Sequence, residues 1–340
     1  MIAACLALAV WTAVTALPDS LAASAPAHPR DSLAAGNVAR LPDSLAAGTR
    51  IALPFELIDA GGFAQLSDDP ARPVEPVGLA FDSFGRLHMS DAALRRVVRL
   101  NAQGARLGES GALGDGAGTL RRPGSMATAG VLAVAVLDEE NRRIVRYDLQ
   151  GHPQGDALEL DAPLEARGES RARPIALASD EGGALYVADA DGDRILRFEP
   201  SGELTRVWGG PGSTAGGLRG VAGVAVARRG EVFVSERMPG RIVRLEPTGA
   251  LSAEWPLPDS VASERLPLAV DDSLRVACAD PRSGRLWLFG PRGELLAARE
   301  GLAGASALVF TRDGALWVAL RNSRRLVRLV LRARAAPAEP

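Results

Sequence analysis

The chain has 340 residues, 47% of them hydrophobic, which is enough to bury a large core and excludes a wholly disordered polypeptide. Its 39 basic residues, every one an arginine, offset 41 acids to a net charge of -2, which argues against a dedicated nucleic-acid binder. Three His, two Cys and two Tyr leave little of the usual catalytic equipment.

Residues 2–16 (IAACLALAVWTAVTA) are apolar and uncharged. They are short for a membrane span, which needs about 20 residues, and suit the apolar region of a signal peptide. Residues 1–24 are therefore expected to be a signal peptide, and the protein is expected to be exported, periplasmic or extracellular, without a transmembrane span. No Lys or Arg precedes the apolar stretch, as would follow from a translation start upstream of Met1. Ile2-Ala3-Ala4-Cys5 resembles a bacterial lipobox, and with such an upstream start it would anchor the chain by lipid. Cleavage would leave Cys278 as the lone cysteine, in an apolar run that predicts a buried structural thiol. Between residues 25 and 49, DSLAA recurs with Asp31 and Asp43, echoing Asp19 at a spacing of 12, and this segment is expected to be a flexible spacer.

From residue 76 one pattern recurs six times: an apolar strand, a short polar turn, a second apolar strand ending near an acid, and an arginine that opens a third strand. The third strands read RVVRL, RIVRY, RILRF, RIVRL, RLWLF and RLVRL, led by Arg96, Arg143, Arg194, Arg241, Arg285 and Arg325. Their spacing of 40 to 51 residues, with period-2 alternation and several strands per unit, predicts propeller blades. The expected fold is all-β: a six-bladed propeller of four-stranded antiparallel blades over residues 50–331, followed by a tail over 332–340. The last blade is short of one strand. RIALPFELI at 50–58 is expected to supply it and so close the ring, with Pro54 tolerated on an edge.

The clearest unit joins Pro174-Ile-Ala-Leu-Ala178, Leu185-Tyr-Val-Ala-Asp189 and Asp193-Arg-Ile-Leu-Arg-Phe198, and leads into Gly209-Gly210. Pro76-Val-Gly-Leu-Ala80 and Val221-Ala-Gly-Val-Ala225 repeat its opening. This pattern resembles the NHL-repeat family over residues 50–331. The resemblance implies a propeller fold but no single function, because NHL propellers serve many roles. Asp91, Asp138, Asp189, Glu236 and Asp280 end the second strands and are expected to be structural, accepting turn N–H groups and pairing with the arginine that opens the next strand. Leu320 breaks the pattern in the sixth blade.

The resemblance also implies that inter-blade linkers (108–122, 154–173, 208–220 and 256–266) share a face with the turns between second and third strands. That loop-rich face would carry Glu139, Asn141, Asp191, Arg237, Arg282, Arg321 and Asn322, the candidate contacts for a partner. The three His (His28, His88, His152) show no zinc-ligand spacing, no GxSxG motif is present, and expected innermost strands such as Gly223–Val226 are small and apolar. No catalytic residue, metal site or cofactor is expected. The preferred function is a non-catalytic binding or scaffold module for a protein, peptide or glycan of the cell envelope. The alternative is a metal-dependent hydrolase, lactonase or lyase with its site in the central channel.

Overall fold

The computed structural model describes residues 53–63, 66, 74–210 and 217–334. The expected signal peptide and spacer lie outside the described residues. Six four-stranded antiparallel sheets form a ring. From innermost to outermost strand, blade 1 is Pro76–Phe81, Leu87–Asp91, Arg96–Leu100 and Arg106–Ser110, and blade 2 is Pro123–Thr128, Ala133–Asp138, Arg143–Asp148 and Leu158–Glu159. Blade 3 is Pro174–Ser179, Leu185–Asp189, Arg194–Phe198 and Leu204–Gly209, and blade 4 is Val221–Val226, Val232–Glu236, Arg241–Leu245 and Leu251–Pro256. Blade 5 is Leu268–Val270, Val276–Asp280, Arg285–Phe289 and Leu295–Arg299. Blade 6 takes Ala305–Phe310, Leu316–Leu320 and Arg325–Ala333 from the C-terminal end, and its outermost strand, Phe55–Phe63, from the N-terminal end. The innermost strands of successive blades touch, and blade 6 meets blade 1.

Each blade is covered on both faces by its neighbours. Second strands such as Leu185–Asp189 and Val232–Glu236 are accordingly buried along their whole length and are mostly apolar rather than alternating. The core is divided among the blade-to-blade interfaces. Ala80, Val97, Met126, Val134 and Tyr147 pack between blades 1 and 2, and Trp255, Cys278, Trp287 and Phe289 between blades 4 and 5. Cys278 is a free, fully buried thiol whose pKa is pushed up by burial.

Closure by an N-terminal strand is present, with altered bounds: the strand is Phe55–Phe63 rather than 50–58, and it pairs Leu57 with Leu331 and Phe63 with Leu326. Pro54 precedes the strand, and its carbonyl accepts from Arg334 N at 3.0 Å. A bulge at Gly61-Gly62 lets the strand continue to Phe63, whose ring lies 5.0 Å from that of Trp317 and over Gly104 of blade 1. Trp208 covers Gly249 and Trp255 covers Gly293 in the same way, each reaching from an outermost strand onto the following blade. Blade 6's third strand also runs on to Ala333, into the expected tail. The linker at 154–173 is not plain loop. It holds Leu158–Glu159 and a short helix, Asp161–Glu165, because Leu160 and Leu164 turn inward onto the core between blades 2 and 3. Among the described residues no helix is long and apolar enough to cross a membrane.

Candidate ligand-binding cavity

The innermost strands enclose a cavity of about 830 Å³ around the ring axis. Its wall is built as three rungs, each taking one residue per blade at matching register. The deepest is Leu79, Met126, Leu177, Val224, Leu268 and Leu308. The next is Ala80, Ala127, Ala178, Ala225, Ala269 and Val309. The outermost rung, half-buried in every blade, is Phe81, Thr128, Ser179, Val226, Val270 and Phe310. Apart from Thr128 and Ser179, all are apolar. These two hydroxyls sit on adjacent blades and hydrogen-bond to each other at 2.9 Å.

The cavity opens among the turns that join innermost to second strands. Around this mouth the residues divide into two arcs. On blades 1 and 2, Phe84 is 73% exposed and Val131 70%, and Ser83 Oγ donates to Val131 O at 2.9 Å, tying the two turns together. On blades 3 to 5, Arg228 reaches Glu181 on one side and Asp272 on the other, at 3.4 Å for the latter. Arg312 and Asp313 follow on blade 6, and Asp313 takes Arg328 at 3.0 Å.

Toward the opposite end of the ring an ion pair links blade 2 to the linker before blade 5. Glu139, in the turn after the second strand of blade 2, accepts from both nitrogens of Arg265, in the linker entering blade 5, at 2.5 and 2.9 Å. Blades 2 and 5 face each other across the ring, so the pair spans the axis. The Glu139 carboxylate lies where a Cβ on residue 124 would be, so Gly124 is required there. The Glu139 side chain is 8% exposed and is engaged by Arg265 of the same chain.

The other residues expected on the loop-rich face are placed at the same end of the ring as Glu139, away from the mouth. Several are held by their own chain. Asn141 donates to Asp138 at 2.7 Å, Asp191 takes Arg173 at 2.5 Å, Arg282 donates to Ala262 O at 3.2 Å and Arg321 reaches Glu75 at 3.1 Å. Arg237 and Asn322 sit exposed in turns. The central channel was expected from the sequence as the alternative site, with small, apolar innermost strands, and the position closing each of those strands reads Phe, Thr, Ser, Val, Val, Phe around the ring.

The second-strand acids are buried. Asp189 Oδ2 takes Arg194 at 2.7 Å while its Oδ1 takes the Arg173, Asp191 and Gly192 N–H groups. Asp91 and Asp138 meet Arg96 and Arg143 at 3.3 and 3.4 Å, and Glu236 meets Arg241 at 2.5 Å. Blade 5 differs: Asp280 takes the hydroxyl of Ser263 and the Ala262 N–H, while Arg285 turns outward to Asp259 at 2.9 Å and Glu300 at 3.4 Å. Leu320 offers Arg325 no carboxylate.

At the same register, two acids flank the cavity, Asp82 in blade 1 and Asp180 in blade 3, and each carboxylate is bonded to the second strand of its own blade. Asp82 is saturated. Its Oδ1 accepts from Phe84 N and Arg86 N, and its Oδ2 from Arg86 Nε at 2.7 Å and His88 Nε2 at 3.0 Å. Burial works to raise its pKa, but these hydrogen bonds outweigh it and hold the carboxyl below the ordinary range. Burial also lowers the pKa of His88, against the pull of Asp82, so the imidazole is neutral at pH 7. Asp180 accepts from Ala184 N and Tyr186 Oη, both at 3.0 Å, and pairs with Arg197 at 3.9 Å. Burial pushes Tyr186 up to about 12, so it remains a donor. Among the described residues no three His, Cys, Asp or Glu are grouped to hold a metal ion.

A ring of six four-stranded blades around an axial cavity defines the chain as a six-bladed β-propeller. Solved structures with this fold include a streptogramin B lyase, 14% identical over 82% of this chain and 98% of that one, TM-score 0.56. They also include a gluconolactonase from Xanthomonas campestris (18% identical, 82% and 95% covered, TM-score 0.58) and the PQQ-bound aldose sugar dehydrogenase of Streptomyces coelicolor (18%, 82% and 98%, TM-score 0.56). At these identities the likeness is one of fold. No protein-family model matches the chain, and no curated protein matches it.

Proposed function

We propose that this propeller is a non-catalytic binding module whose site is the axial cavity, opened on the turn face, and whose ligand is a small molecule with an apolar or aryl body. The observation that carries this reading is the cavity itself: apolar rungs and a volume of about 830 Å³. Pockets of roughly 300–1,000 Å³ with mostly apolar walls and few polar groups are the form small-molecule sites take. The loop-rich face supports a protein, peptide or glycan partner less well, since Glu139, Asn141, Asp191, Arg282 and Arg321 are bound to the chain's own groups. The alternative of a hydrolase, lactonase or lyase draws on the names of fold neighbours and on the axial position of the cavity. The cavity wall itself supplies little for it, because Asp82 has no free lone pair to act as a base. The apolar stretch at 2–16 supports export.

Calorimetric titration with the neutral probe 4-phenylbutan-1-ol tests the site. Saturable binding is expected, lost in Val226→Trp, which fills the outermost rung, and kept in Arg282→Ala. Absent binding, or binding untouched by Val226→Trp, would overturn the reading.

A further inference from the structure

The mouth of the cavity gathers the most exposed apolar side chains of the described residues. Phe84 is 73% exposed, Val131 70% and Leu132 65%. All three stand in the turns that join innermost to second strands in the adjacent blades 1 and 2. The other exposed large apolar residues are dispersed: Leu107 and Leu251 on the outermost strands of blades 1 and 4, Leu113 in a linker and Met238 in a turn at the opposite end of the ring.

The backbone under this apolar tip is fixed. Phe84 N donates to Asp82 Oδ1 at 2.9 Å, and the Arg86 guanidinium lies 5.3 Å from the centroid of the Phe84 ring. Ser83 Oγ donates to Val131 O, and the turn of blade 3 leans on that of blade 2, where a Cβ on Gly183 would come within 3.1 Å of Gly130 N. Behind the tip the apolar surface continues inward. Phe81 and Phe310 stand in the outermost rung, and Phe81 packs against Trp317 with ring centroids 6.3 Å apart. The rest of the rim is charged, and its exposed acids are matched: Glu181 and Asp272 by Arg228, and Asp313 by Arg328. Arg229 and Arg312 are exposed in the turns of blades 4 and 6 and make no ion pair among the described residues.

From this surface we infer that the propeller docks with its mouth on a lipid bilayer, seating Phe84, Val131 and Leu132 at the boundary of head groups and acyl chains, with Arg229 and Arg312 against anionic head groups. The three apolar residues expose on the order of 400 Å², about half of what one partner gives to a stable protein–protein interface. A protruding tip of this size suits shallow insertion, because lipid closes around each side chain and no complementary shape is needed. The two unpaired arginines supply charge complementary to an anionic lipid surface. That the cavity then receives its ligand from the bilayer rests on the cavity as the ligand site. A ligand with an apolar body is driven out of water into the bilayer, and the apolar surface from Phe84 to Phe81 and Phe310 leads from there into the ring.

The test uses the full-length chain with vesicles of phosphatidylcholine, alone or mixed with phosphatidylglycerol, whose brominated acyl chains quench tryptophan. Relative to the parent chain, Phe84→Trp is expected to gain emission that the vesicles quench. Arg237→Trp, at the opposite end of the ring, is expected to gain emission that they do not. In co-sedimentation, phosphatidylglycerol should strengthen binding a few-fold, and Arg229→Gln with Arg312→Gln should remove that gain. Phe84→Ser with Val131→Ser should weaken binding about tenfold. Equal quenching of the two introduced tryptophans, or quenching of neither, would overturn the docking surface. So would sedimentation untouched by Phe84→Ser with Val131→Ser, as when residues 2–16 alone hold the chain to the vesicles. A dimer in gel filtration that this double variant abolishes, in a chain that binds no vesicles, would assign the tip to a second copy and overturn it too. Vesicle binding without binding of 4-phenylbutan-1-ol would keep the docking surface and remove the cavity reading, and the alcohol bound without vesicle binding would do the reverse.

Discussion

Arg194 is bound on three sides: by Asp189 at 2.7 Å, by the Glu169 carboxylate and by the Ser170 carbonyl at 2.7 Å. Removing it leaves a fully buried carboxylate with backbone donors alone, and breaking a buried pair from one side costs about 3–5 kcal/mol. Arg194→Ala should lower the melting temperature strongly. Arg325→Ala, facing Leu320 at the equivalent point of blade 6, should change stability by less than about 0.5 kcal/mol. Equal melting temperatures for the two variants, measured by calorimetry, would remove the structural role of the repeated arginine. His88 gives a pH signature at the same scale. Its folded pKa lies below the ordinary histidine value of 6.5, so the unfolded chain takes up this proton first. The stabilisation is therefore present above about 6.5 and lost as pH falls from there through the folded pKa. Asp82 also has a lowered pKa, and its contribution is lost at lower pH, below the ordinary aspartate value of 3.8. His88→Gln keeps an N–H for Asp82 and removes the titration. Melting curves of this variant should lose the component that begins near 6.5 and keep the acid component. An unchanged pH profile would contradict this account.

The closing strand is the element whose removal matters most. Phe55–Phe63 gives blade 6 its outer edge, sends Leu57 into the core between blades 5 and 6 and lays Phe63 over Gly104 of blade 1. Arg299 of blade 5 also donates to Leu57 O at 2.8 Å. A chain beginning at residue 64 is expected to melt far lower than full length or to aggregate through the exposed edge of Arg325–Ala333, whereas one beginning at residue 48 should match full length. Coincident melting of the two by circular dichroism would show that this strand does not close the ring. Gly293 makes a local test of the same packing. Its φ is 84°, and a side chain there would overlap the ring of Trp255, so Gly293→Ala should destabilise through both strain and displacement.

At the scale of the whole molecule, the blade count and strand order were legible because each strand type leaves its own mark. The all-buried second strands are mostly apolar, and an arginine opens every third strand. Closure was legible from the missing strand of blade 6, but its bounds were not, since Phe63 is rewarded by Gly104, over 40 residues away in sequence, and by Trp317, farther still. The central channel was legible as an alternative site, but its volume and open end were not. Leu79, Leu177 or Val224 read alike whether they pack into a core or line a void, and periodicity does not say which end of the ring is open. Glu139 and Arg265, which pair across the ring, are separated by 126 residues, and no local pattern announces such a pair.

The location of bound ligand tests this account most directly. A crystal structure of the chain with 4-phenylbutan-1-ol should show the probe on the axis, its ring between Phe81, Phe310 and Val270 and its hydroxyl toward Thr128 and Ser179. Probe bound instead on the loop-rich face, around Arg237, Arg282 or Asn322, with the axial cavity holding none, would contradict it.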